Sequence, residues 1–74
     1  MHPDTTIHRT ALLVNGERTE TQARTLADLI AARGLGEGEV ATALNGAFVP
    51  RGARAATLLS AGDQVEIVAP RQGG

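Results

Sequence analysis

Apolar residues recur along this chain with a period of two in several segments and near 3.6 in one, which separates strands from a helix. Ala11-Leu12-Leu13-Val14 is a short strand-like run that stops at Asn15-Gly16. That pair favours a type I′ hairpin turn, whose two central residues both need positive φ. The polar, threonine-rich stretch from Arg18 to Gln22 then reads as a partly exposed second strand. Thr25-Leu26-Ala27-Asp28 has the spacing of a helix start, with a Thr25 hydroxyl to accept the third-residue amide and Asp28 in the first turn. Leu26, Leu29 and Ile30 form one stripe, Arg33 ends the helix and Gly34 supplies a left-handed cap. A helix this short does not persist alone, so its stripe must dock on a flat apolar surface.

The second half is strand-like. Val40 to Leu44 leads into another Asn-Gly pair, Asn45-Gly46, followed by Ala47-Phe48-Val49 and then Pro50, which closes the strand. After a stretch read as irregular up to Leu58-Leu59, Gly62-Asp63 makes a turn. Gln64-Val65-Glu66-Ile67-Val68-Ala69 then alternates, with Val65 and Ile67 on one side and Glu66 opposite. Pro70 lacks the next ladder donor and turns the chain out of the sheet. This order predicts an α+β fold of β-grasp (ubiquitin-like) type, a mixed sheet of four to five strands packed on one main helix. The expected boundaries are a flexible extension over 1–9, the domain over 10–69, and a flexible tail over 70–74. Leu13, Phe48 and Val68 belong either to the core or to an apolar patch on the uncovered sheet face where a partner docks. A register error of one residue exchanges the two faces.

Composition narrows the chemistry. The 74 residues fit one small domain, and the single aromatic, Phe48, leaves the core to aliphatic side chains. There is no cysteine, which excludes disulfides, thiolate catalysis and cysteine-ligated metals. His2 and His8 stand in a polar N-terminal stretch and read as exposed and idle. Seven arginines spread along the chain, against a net charge of −1, create no strong field for nucleic acid or membrane, and Trp and Tyr are absent as base-stacking platforms. The N-terminus lacks the pattern of a signal peptide, and the apolar runs are far shorter than the ~20 residues that span a bilayer. A cytoplasmic location is the expectation.

The feature left over is Gly73-Gly74. Alone it is a weak signal, since two glycines end a chain by chance about once in two hundred proteins. Its chemistry is that of an α-carboxylate, a poor acyl donor until a better leaving group such as AMP activates it. Glycines, having no Cβ, let such an end enter a narrow channel of an activating enzyme. Residues 70–74 extended would reach roughly 17 Å.

Read in order, Leu13-Val14-Asn15-Gly16-Glu17, Leu44-Asn45-Gly46, Val49-Pro50-Arg51, Leu59, Gly62-Asp63, Val65-Glu66-Ile67-Val68 and Gly73-Gly74 resemble the ThiS family of sulfur carriers, from about Leu12 to Gly74. The resemblance implies that Gly74 is adenylated and then converted to a thiocarboxylate that donates sulfur for the thiazole ring of thiamin. Gly73, Gln72 and Arg71 would thread into partner sites. The implied partners are a ThiF-like adenylyltransferase, a ThiG-like thiazole synthase and a sulfur donor such as a cysteine desulfurase. The carrier would catalyse nothing and bind no cofactor, ATP and Mg being used by the activating partner. Two features depart from the pattern: the N-terminal nine or so residues are extra, and Gly52-Ala53-Arg54-Ala55 stands where an aromatic often follows the Pro-Arg pair.

Other signals are weaker. Gly34-Leu35-Gly36-Glu37-Gly38 follows a helix, whereas phosphate-binding loops precede one, so it reads as a cap and turn. Glu37 with Glu39, and Glu17 with Glu20, read as solvated surface. Two alternatives remain open at this point: the small, sulfur-carrying subunit of molybdopterin synthase, and a β-grasp interaction module that works without its tail.

Overall fold

The computed structural model describes residues 9–69, apart from the side chain of Glu37. The first hairpin is β1 (Thr10–Val14) and β2 (Glu17–Thr21), paired antiparallel so that Val14 faces Glu17 across Asn15-Gly16. Asn15 and Gly16 both take positive φ, 52° and 86°, as the predicted turn requires. The second Asn-Gly pair repeats this at 52° and 85° between β3 (Ala41–Leu44) and β4 (Ala47–Val49). The last strand, β5 (Gln64–Val68), runs parallel to β1 and antiparallel to β3. The sheet therefore has five strands in the order β2-β1-β5-β3-β4.

Helix α1 (Leu26–Ala32) covers one face of this sheet. The Asp28 amide donates to the Thr25 hydroxyl at 3.1 Å, which makes Thr25 its N-cap. At the other end Gly34 takes φ +75°, its amide donating to the Ala31 carbonyl while that of Leu35 donates to Ile30. These two bonds form a Schellman motif, and Leu35 packs against the core beside them. Leu26, Leu29 and Ile30, the predicted stripe, are buried on Leu12, Val14, Val40, Val49, Val65 and Ile67.

Two features differ from the sequence expectation. Residues Arg51–Ala56, read as irregular, form a short 3-10 helix that packs beside α1. Its bonds close over three residues, as from the Ala53 amide to the Pro50 carbonyl, so no 3.6 period marks it in the sequence. The strand-to-strand connection then passes beside the start of α1, where the Leu26 amide donates to Thr57 and that of Leu59 to Arg24.

The second difference is Arg54, which is 2% exposed. Its Nε donates to the Thr42 hydroxyl at 3.0 Å and its Nη2 to the Val40 carbonyl at 2.6 Å. Thr42, itself buried, donates onward to the Val49 carbonyl at 2.8 Å. A guanidinium thus ties the 3-10 helix to the β3-β4 hairpin. Burial of arginine is tolerated only with such hydrogen bonds.

Candidate functional site

Residues Arg71, Gln72, Gly73 and Gly74, the expected reactive tail, lie outside the described residues, as do His2, His8 and all but Arg9 of the expected extension over 1–9. What the structure places is the strand that leads into the tail and the sheet face around it.

The undecided residues Leu13, Phe48 and Val68 all lie on the sheet face opposite α1. Register explains why: Leu12 and Val14 face the helix, so Leu13 points away, and Val65 and Ile67 do the same for Val68. Phe48 is the neighbour of buried Val49 and is 70% exposed, Val68 is 59% exposed and Leu13 37%. Leu13 and Phe48 lie far apart on this face. Two strands separate Leu13 from Phe48, about 14 Å at the usual strand spacing, and outward-facing Gln64 and Glu66 stand between. Leu13 and Val68 do share a shallow depression of about 540 Å³, bordered by Asn15, Gly16, Gln64 and Glu66. On β2 an exposed ion pair, Arg18 to Glu20 at 3.1 Å, flanks this face.

The chain belongs to the ThiS family. The family model matches residues 6–74, nearly the whole sequence. A crystal structure of the thiamine biosynthesis protein ThiS from Geobacter metallireducens is similar in fold, with a TM-score of 0.72 and 30% sequence identity. The similarity covers 88% of this chain and all of that one. No curated protein matches the chain significantly. The β-grasp fold expected from the order of elements is the one observed, a five-stranded mixed sheet with its helix.

Sequence reasoning missed how this ThiS-family domain holds β5. Both Asn-Gly turns reach it with their asparagine side chains. At the start of the strand, the Asn45 Oδ1 accepts the Gln64 amide at 2.9 Å, its Nδ2 donates to Asp63 Oδ1 at 3.0 Å, and its own amide donates to the Gln64 carbonyl at 2.7 Å. Near the end, the Asn15 Oδ1 accepts the Ile67 amide at 2.9 Å while its Nδ2 donates to the Ile67 carbonyl at 3.1 Å. One carboxamide there takes both polar groups of a strand residue, as a neighbouring peptide would. The signal in the sequence was the pair of asparagines, but asparagine before glycine is explained by the turn alone, and nothing local indicates a second partner 52 positions away.

The described residues contain neither Cys nor His, and no group of three or more acidic or histidine residues among them is placed to hold a metal. Among the same residues no helix is long and apolar enough to cross a membrane.

Proposed function

We propose that this chain is a sulfur carrier for thiamin biosynthesis and that its chemistry resides at Gly74. The observation that carries the reading is the ThiS-family match, which extends to Gly74. In the proposed cycle the Gly74 carboxylate attacks the α-phosphate of ATP on a ThiF-like adenylyltransferase, giving an acyl-adenylate and releasing pyrophosphate. A sulfur nucleophile then displaces AMP: hydrosulfide gives the thiocarboxylate directly, whereas a persulfide gives an acyl disulfide whose S–S bond a second thiol reduces to the thiocarboxylate and a disulfide. The thiocarboxylate gives its sulfur to a ThiG-like thiazole synthase. Adenylation supplies the leaving group that the carboxylate lacks. The carrier acts as a protein co-substrate, with Gly73, Gln72 and Arg71 entering partner sites and Leu13, Phe48 and Val68 offering exposed apolar contact outside the tail.

Intact mass after incubation with the adenylyltransferase, ATP, Mg and a sulfur donor tests this directly. The expected result is a gain equal to one oxygen replaced by sulfur, located on the last peptide. Removal of Gly73 and Gly74 should leave a folded, inert protein. A truncated chain that still restores thiamin synthesis overturns the proposal, as does a deletion strain defective in molybdoenzymes yet normal for thiamin.

A further inference from the structure

We propose that Asn15 is a positioning residue for the chemistry at the chain end, because its carboxamide fixes the last part of β5, the strand that precedes residues 70–74 in the sequence. The proposal rests on the carrier reading above. Its basis is the unequal support along β5. On one flank β3 pairs with the strand as far as Val68, opposite Ala41. On the other flank β1 ends at Val14, opposite Val65. Beyond that point the main chain turns away through Asn15-Gly16, and the flank at Ile67 would carry an unpaired amide and carbonyl. The Asn15 side chain takes both. This clamp lies three residues before Pro70, whereas the comparable clamp from Asn45 grips Gln64 at the far end of the same strand.

The turn itself does not need the carboxamide. Asn15 sits at φ 52°, a region glycine enters freely, so Asn15→Gly keeps the hairpin and removes only the clamp. Asn45→Gly makes the same change at the opposite end. Both variants lose side-chain hydrogen bonds to β5, but only one loosens the stem of the tail. A loosened stem must be ordered again when the tail enters a partner, and that penalty falls on binding rather than on the chemical step.

The test compares full-length wild type, Asn15→Gly and Asn45→Gly as substrates of the adenylyltransferase by ATP–pyrophosphate exchange, together with amide hydrogen exchange. For Asn15→Gly we expect KM to rise about tenfold, equivalent to about 1.4 kcal/mol, with kcat little changed and faster exchange at the Ile67 and Val68 amides. For Asn45→Gly we expect KM to stay within about twofold of wild type, with faster exchange confined to the start of β5. If Asn15→Gly does not fold, Asn15→Asp replaces it. That variant keeps the acceptor for the Ile67 amide but sets a carboxylate oxygen against the Ile67 carbonyl, and it should raise KM in the same direction. Equal KM changes in the two clamp variants, or none at position 15, overturn the proposal while the carrier reading stands. A wild-type chain that is not adenylated overturns the carrier reading and this proposal with it.

Discussion

The two faces of this sheet are built from alternate residues of the same strands, yet they obey different rules. The covered face is close-packed and aliphatic, with Leu12, Val14, Val65 and Ile67 meeting Leu26, Leu29 and Ile30 of α1, and its polar members, Thr42 and Arg54, are hydrogen-bonded to each other. The open face sets Leu13, Phe48 and Val68 among Gln64, Glu66 and the Arg18–Glu20 pair. The lone aromatic, the largest apolar side chain available to a small core, is placed on the open face, 70% exposed. A domain without disulfide or aromatic core depends on the aliphatic packing of the covered face for its stability.

The contrast can be broken most severely from the covered side. Ile30→Ala, at a fully buried position, should cost about 2–5 kcal/mol, a large fraction of a small domain's stability. Urea unfolding measures it, and a loss below about 1 kcal/mol would mean the face is not packed as described. Next comes Arg54→Ala, which strips partners from the Val40 carbonyl and the Thr42 hydroxyl and should cost about 2–4 kcal/mol by the same assay. Replacement by a lysine at that position recovers less than half of the loss if the forked guanidinium geometry matters.

Removing the helix cap is milder. Thr25→Ala leaves the Asp28 amide to water and should lower stability by about 1 kcal/mol, with the loss visible as fraying of the first turn of α1 in amide exchange. The smallest expected effect belongs to the open face: Phe48→Ser should change unfolding free energy by no more than about 0.5 kcal/mol. If this face meets a partner, the same variant weakens adenylation by raising KM. An unfolding penalty comparable to that of Ile30→Ala would instead place Phe48 in the core and erase the distinction.

Much of the architecture was legible locally. The two Asn-Gly turns, the Thr25 cap, the Gly34 terminator and the alternation of Val65 and Ile67 each depend on residues a few positions apart, and all appear where the pattern put them. So did the α+β order and the family resemblance. The 3-10 helix at Arg51–Ala56 was not legible, because its contacts repeat without a distinctive apolar period. The face occupied by Leu13, Phe48 and Val68 stayed open for a different reason: both faces of a strand carry apolar residues here, and only pairing with neighbours fixes which one meets the helix.

By itself, then, the order of residues determined the strands, the main helix, their turns and the glycine end on which the proposed chemistry depends, since these follow from backbone preferences and short-range hydrogen bonds. Tertiary structure alone decided that an arginine among alanines is buried and that the asparagine of the first turn grips the last strand. Those assignments join residues 12 and 52 positions apart, and no local preference encodes a partner that only folding brings within hydrogen-bond reach.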